Sequence, residues 1–355
     1  IETYFVVLQT PAWAGGAADA PPPPGPYGDF MRRLAEHFRG RVSAYEVWNE
    51  PDFPAFWRGG ASPAAYAALL RSAYAGVKTG DPGARVGVGG LVGNDYLYVS
   101  ALYAAGAGGS FDFVSLHTDN DCNRDDPRQA IRDVDGRIAR FSFTAYREVR
   151  QVMLDHGDDK PIWMTELGWS VARGRCPANR RMPAGVSPGR QAAFLTRAYA
   201  CLAADPYVEK ASWFSLGDFA PEDAIATRFG LLTFGGRRRL AFAAFQRARR
   251  VAPNRRCGLR VDRAPPRVTL FAPRESDRRS HDLYYRATAR DASGVTTLTL
   301  LVDGRRVRVT GRSRLVGHWG RGWRALANGP HTVRVTAVDR AHNVGSAAVT
   351  VVKAA

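Results

Sequence analysis

Two stretches of the chain deliver one carboxylate each at the end of an apolar run: Tyr45-Glu46-Val47-Trp48-Asn49-Glu50-Pro51-Asp52 and Pro161-Ile162-Trp163-Met164-Thr165-Glu166-Leu167-Gly168-Trp169. In the first, Pro51 has no N–H to donate and so ends the strand ladder just after Asn49-Glu50. In the second, Glu166 again closes a run of strand-forming residues. Carboxylates at the carboxyl ends of parallel strands stand where an α/β barrel keeps its chemistry. Two of them facing each other are the equipment for hydrolysing a glycosidic bond: one carboxyl protonates the departing oxygen, and the other, ionised, attacks the anomeric carbon. Glu50 is the expected acid/base, because Trp48 and Trp57 beside it suit a carboxyl that must carry a proton. Glu166 is the expected nucleophile.

Supporting contacts follow from residue type and place. Asn49 is positioned to bond the sugar hydroxyl next to the reacting carbon. His117, the last residue of another apolar run, is expected to hold Glu166 oriented, and Trp213 to form the floor under the cleaved sugar, with Trp13 and Trp169 as further aromatic contacts. Taken singly, each has a plainer role. A strand-end glutamate serves as often as a helix cap or ion-pair partner, and a histidine or tryptophan at a strand end is often core. The joint pattern separates the two readings.

The elements that must position these residues alternate along the chain. Strands are expected at Tyr4–Gln9, Ala44–Trp48, Val86–Gly90, Phe111–His117, Ile162–Glu166 and Ala211–Leu216, with Pro21–Pro26 as an extended loop after the first. Helices are expected at Tyr27–Phe38, from Pro63 to Val77, at Tyr96–Ala104, somewhere in Gln129–His156 as one long or two shorter segments, at Gln191–Ala203 and at Arg239–Val251. Such alternation predicts a parallel sheet with right-handed crossovers. A closed (β/α)8 TIM barrel needs eight strands. No glycine-rich phosphate loop follows the first strand, which removes the usual ligand of an open doubly wound sheet. The reading is a TIM barrel lacking its first two βα units over residues 1–258.

From Pro265 the periodicity changes from helical to period two. Strands are expected at Arg267–Phe271, Leu283–Ala289, Thr296–Val302, Arg305–Val309, Thr332–Val338 and Ala347–Val352, with Asp303-Gly304 as a tight hairpin turn. Residues 259–355 therefore read as an immunoglobulin-like β-sandwich.

The chain carries a formal charge of +17 over 355 residues, and 46 of its 50 basic residues are arginine. From Arg260 onward there are 18 basic and 7 acidic residues, so most of the excess lies in the C-terminal part. Neither aromatic-interleaved basic strands nor a recognition-helix pattern accompanies it, so no nucleic-acid partner is expected, although a basic surface attracts acidic glycans. No apolar run is long enough to span a bilayer. The four cysteines, Cys122, Cys176, Cys201 and Cys257, lack zinc-knuckle spacing and fit two disulfides of an exported enzyme. Three pairings are possible. Cys122 with Cys176 is favoured, both lying in long loops at one barrel face, together with Cys201 and Cys257. No metal or cofactor is called for; the acidic loop Asp119, Asp121, Asp125 and Asp126 lacks EF-hand spacing.

Tyr45-Glu-Val-Trp-Asn-Glu-Pro-Asp and Ile162-Trp-Met-Thr-Glu-Leu-Gly-Trp resemble the strand-four and strand-seven signatures of glycoside hydrolase clan A. Phe56-Trp57, Tyr66, Leu69-Leu70, Asp81-Pro82-Gly-Ala-Arg-Val and Gly89-Gly90 make the chain similar to the family 39 and family 5-like bacterial members over Val6–Phe245. The resemblance implies a retaining (β/α)8 enzyme with Glu50 as acid/base and Glu166 as nucleophile, and it numbers the strand at Tyr4 as the third. Many members carry a tyrosine two positions after the strand-six histidine, where this chain has Asp119, expected here among the substrate contacts. An arginine supplied by an early strand falls in the part not seen here. The C-terminal sandwich resembles bacterial Ig-like modules of exported enzymes. The expected protein is thus a secreted, monomeric retaining β-glycosidase of a polysaccharide or oligosaccharide. The alternative is a non-catalytic carbohydrate-binding or adhesion protein on a degenerate barrel.

Overall fold

The computed structural model describes residues 2–14, 16–17, 19–118, 122, 124–132, 136–176, 181–257, 260–261, 264–274, 282–291, 294–339 and 343–354. The chain divides into two compact units, one of residues 1–130 with 140–260 and one of residues 131–139 with 261–355.

In the first unit the elements run β1 (Tyr4–Val7), α1 (Pro24–His37), β2 (Ala44–Val47), α2 (Pro63–Gly80), β3 (Arg85–Val92), α3 (Tyr96–Ala104), β4 (Phe113–His117), the two-residue β5 (Gln129–Ala130), α4 (Tyr146–Asp155), β6 (Ile162–Leu167), α5 (Pro188–Leu202), β7 (Val208–Trp213) and α6 (Leu240–Ala248). Six strands form one parallel sheet in the order β1-β2-β3-β4-β6-β7, in register from Tyr4 opposite Ala44 to Leu167 opposite Trp213. All six strands read from the sequence are present. The sheet curls: the Tyr4 ring on β1 meets the Trp163 ring on β6 edge-on at 5.8 Å although three strands, β2, β3 and β4, lie between β1 and β6 in the ladder. The curl also brings Lys210 of β7 into an ion pair with Glu2, while no ladder joins β1 to β7 among the described residues. The result is a half-barrel with helices, open between its two edge strands.

Side chains alternate across this sheet as strand geometry requires. Tyr45, Val47, Val114, Leu116, Ile162 and Met164 join the large core beneath the helices. Tyr4, Ala44, Phe113 and Trp163 form a small apolar layer of their own, with the Phe113 and Trp163 rings stacked at 3.7 Å. Next along that layer's face come Glu46, Ser115 and Thr165, two residues further along β2, β4 and β6.

The helices start where the sequence supplies caps. Ser62 and Ser187 accept from the N–H of Ala65 and Arg190, each followed by a proline at the first helical position, and Asp95 accepts from Tyr98 N–H at 3.0 Å. Proline's suitability there also explains one departure: α1 begins at Pro24, inside the run read as an extended loop. The second departure is Gln129–His156, where only Tyr146–Asp155 is α-helix. Gly136 takes a φ of +79°, and Asn94 Nδ2 donates to the carbonyls of Arg140 and Ser142, so tertiary hydrogen bonds hold the preceding backbone out of a helix. Helices α1 and α2 approach closely at Gly76, where a Cβ would lie 2.1 Å from the carbonyl oxygen of Gly28.

After β8 (Arg260–Val261), the C-terminal unit contains β9 (Arg267–Phe271), β10 (Leu283–Arg290), β11 (Val295–Val302), β12 (Arg305–Thr310), β13 (Arg314–Trp319), the one-turn α7 (Arg321–Arg324), β14 (Gly329–Asp339) and β15 (Val344–Lys353). Two antiparallel sheets, β13-β10-β9 and β12-β11-β14-β15, share one core around Leu283, Tyr285, Leu298, Leu300, Trp323, Val333 and Val335. β13 was not expected from the sequence. Its arginine, glycine and histidine dilute the alternation, and cross-strand pairing with β10 supplies what local pattern lacks.

Both disulfides are those favoured from the sequence, Cys122–Cys176 and Cys201–Cys257, with Cα separations of 5.6 and 5.5 Å. Thiol titration of the purified protein in denaturant should therefore find no free thiol before reduction and four after it; two or more before reduction would contradict the pairing.

Candidate active site

The exit of β2 turns sharply into the site. Trp48 and Glu50 adopt left-handed backbone with φ of +69° and +45°, a conformation costing about 1–3 kcal/mol per residue unless surroundings enforce it. Here the enforcement is visible: Trp48 N–H donates to Val7 O at 2.9 Å and Glu50 N–H to Gly90 O at 3.1 Å, tying the turn to β1 and β3. Trp48 Nε1 donates to Phe56 O at 2.7 Å, and its ring meets Trp57 edge-on. Asp52 closes the turn. Its side chain accepts from Val92 N–H and from Arg140 Nη2 at 2.7 Å, and Arg140 also pairs with Asp95 and donates to Val92 O. Sequence reading did not find this clamp, because Asp52 and Arg140 lie 88 residues apart.

β4 and β6 bring the other two side chains. His117 and Glu166 are register partners on these neighbouring strands, and Thr118 N–H donates to Glu166 O at 2.7 Å. The imidazole is buried, with Nδ1 at 2.8 Å from Glu50 Oε1 and 3.7 Å from Glu166 Oε2. One nitrogen thus sits against both carboxylates, and its shorter contact is with Glu50 rather than with the Glu166 it was expected to hold. The ring fits because residue 90 is glycine; a Cβ there would stand 1.9 Å from His117 Nε2.

One ligand atom from each of Glu50, His117 and Glu166 lies within 4.8 Å of the others. Carboxyl groups about 5–5.5 Å apart allow direct attack, whereas about 6.5–9.5 Å leaves room for an intervening water. The same three donors match what a divalent cation accepts, so the cluster is also where a metal would bind. Glu166 has the more open side chain, 27% exposed against 15% for Glu50.

The remaining expected residues are spread out. Asn49 is half-buried in the β2 turn. Trp213, at the end of β7, donates from Nε1 to Phe229 O at 3.1 Å and lies 6.1 Å from Trp169. Trp169 is fully enclosed among Phe143, Phe194 and Trp213, whereas Trp13 is 84% exposed in a 3₁₀ turn. Asp119 lies outside the described residues.

No family model and no curated protein matches the chain. Solved structures similar to it are family 39 β-xylosidases and other clan A glycoside hydrolases. A monomeric β-xylosidase from Caulobacter crescentus CB15 is 19% identical with a TM-score of 0.48, covering 93% of this chain and 65% of its own. A family 39 glycoside hydrolase from Bacteroides cellulosilyticus WH2 is 19% identical with a TM-score of 0.49, over 82% and 59%. The GH39 enzyme from Xanthomonas axonopodis pv. citri is 17% identical with a TM-score of 0.48, over 83% and 63%. The chain thus spans less than two thirds of the length of each of these three.

A third carboxyl, Glu46, lies four residues before Glu50. It is fully buried, and neither of its oxygens nor the hydroxyls of Ser115 and Thr165 meets a partner in regular hydrogen-bond geometry, although both hydroxyls lie near enough to favour its ionised form. Burial pushes its carboxyl above the ordinary value of 4.5, against the opposing pull of Ser115, His117 and Thr165. The folded chain therefore keeps this proton when the unfolded chain has lost it, so the contribution to stability is full below 4.5 and falls as pH rises toward the folded value. Glu46→Gln, which cannot ionise, should gain melting temperature relative to the parent on going from pH 4 to pH 7. A difference that is constant or shrinks across that range would show that Glu46 ionises freely in the fold.

Proposed function

We propose that the chain is the core of a secreted retaining β-glycosidase acting on a polysaccharide or oligosaccharide, with Glu50 as acid/base and Glu166 as nucleophile. The observation that carries this reading is the approach of the two strand-end carboxylates to within 4.8 Å around one buried imidazole nitrogen. Glu50 protonates the departing oxygen while Glu166 attacks the anomeric carbon and forms a glycosyl-enzyme. Glu50, now ionised, takes a proton from water, which displaces Glu166 and restores both residues. An imidazole at Glu50 suits this cycle. Its Nδ1 accepts a hydrogen bond from a protonated carboxyl or donates one to a carboxylate, according to which ring nitrogen carries the proton. Asn49 beside Glu50 bonds the sugar hydroxyl next to the reacting carbon, and Trp213 lies at the strand end flanking Glu166, where the sugar floor belongs. Disulfides in both expected positions support export. The C-terminal unit we read as an Ig-like module, and the two edge strands β1 and β7 as the place where two further βα units complete the barrel.

The roles separate under azide rescue. With dinitrophenyl β-glycosides, Glu50→Ala should retain the first step and yield the azide of retained configuration, because that leaving group departs unprotonated. Glu166→Ala should lose turnover by several orders of magnitude and yield at best the inverted azide. Proton NMR of the products reads both. Exchange of the two outcomes would exchange the roles, and inverted product from the parent would remove the double displacement. EDTA should leave parental turnover unchanged; its loss would favour the metal reading of the same three donors.

A further inference from the structure

The segment that follows Glu166 out of β6 bounds a cavity of about 880 Å³, together with the entry to α5 and the loop after β7. The backbone that frames it is fixed: Val171 N–H donates to Arg228 O at 3.0 Å and Val186 N–H to Ser170 O at 2.9 Å. Gln191 Nε2 donates to both Trp169 O and Phe229 O, which joins the cavity's frame to the aromatic wall three residues past Glu166.

The lining is basic. Arg173, Arg228, Arg237 and Arg239 face the cavity with Asp223 as the acidic partner at its edge. Asp218 behind them has a fully enclosed side chain. It accepts from Arg239 through both oxygens at 2.6 Å and from Arg228 at 3.1 Å, so these two guanidiniums are held in place before any ligand arrives. Among the described residues these four guanidiniums face two carboxylates, an excess of two positive charges. At the mouth, Phe234 is 57% exposed beside Arg237. Pre-held arginines with an exposed ring are chemically suited to a sugar whose apolar face stacks on the ring while an attached anion takes charge-assisted hydrogen bonds.

We infer that this cavity binds an anionic sugar unit, carrying a carboxylate or a sulfate, adjacent to the unit held between Glu50 and Glu166. The inference deepens the glycosidase reading and takes its carbohydrate class from it. Arg173 and Arg237 at the exposed mouth take the anion, and Arg228 and Arg239, whose donors are engaged by Asp218 and by the carbonyls of Pro221, Gly230 and Leu232, back it with positive charge.

The test is calorimetric titration of Glu166→Gln protein at about 0.15 M salt, where purely diffuse attraction to a basic chain is largely screened, with a galacturonate tetrasaccharide, a chondroitin sulfate tetrasaccharide and neutral xylotetraose. The expected result is saturable binding of one or both acidic probes at least tenfold tighter than xylotetraose. The double change Arg173→Gln/Arg237→Gln should weaken that binding at least tenfold, with xylotetraose affinity unaltered. Arg306→Gln/Arg308→Gln in the C-terminal unit should leave it unchanged. Binding of the galacturonate alone identifies a uronate site, and of the chondroitin sulfate a site that takes sulfate. Acidic probes that bind no tighter than xylotetraose, or binding that survives the Arg173/Arg237 change or falls with the Arg306/Arg308 change, would overturn the assignment. Because no turnover is measured, failure here leaves the roles of Glu50 and Glu166 to their own test.

Discussion

The rim depends on one close approach, that of β3 to the His117 imidazole. With glycine at position 90 the ring packs against the neighbouring strand, and its Nδ1 reaches Glu50 at 2.8 Å and Glu166 at 3.7 Å. The same strand accepts the Glu50 N–H at Gly90 O, so the residue that admits the histidine also pins the left-handed turn that aims Glu50. Any side chain there must displace the imidazole or separate β3 from β4, and either change disturbs the contacts of Nδ1 with the two carboxylates.

Beneath the rim the fold accepts a costly arrangement. A barrel interior is ordinarily filled with branched apolar side chains, yet the layer below His117 contains Glu46 with Ser115 and Thr165, all four polar atoms outside regular hydrogen-bond geometry among the described residues. The apolar layer of Tyr4, Ala44, Phe113 and Trp163 seals it from below. An unpartnered buried polar group costs about 1–3 kcal/mol, so this layer is a local expense maintained by the packing around it. It also places a proton-holding group within electrostatic reach of His117.

Strands and strand ends were legible because their signals are local. Pro51 stops a ladder, Glu50 and Glu166 each follow an apolar run, and the ladder register then sets His117 beside Glu166 without further instruction. What was not legible depends on contacts distant in sequence. The Asp52–Arg140 clamp joins residues 88 apart, the Gln129–His156 stretch is held out of helix by Asn94, and β13 exists through its pairing with β10. The preference of His117 for Glu50 is likewise a matter of side-chain direction across the curl, which strand order alone does not specify. Trp169 shows the converse: its place after Glu166 invited a substrate role, but it lies inside the core.

The proposed double displacement requires a covalent bond between Glu166 and the sugar. A panel of 2-deoxy-2-fluoro β-glycosides with dinitrophenolate leaving groups slows the second step more than the first, so the intermediate accumulates and is located by peptide mass spectrometry. The sugar mass should appear on the peptide containing Glu166, at that residue. Label on Glu50, or no label while the parent hydrolyses the matching non-fluorinated glycosides, would contradict it.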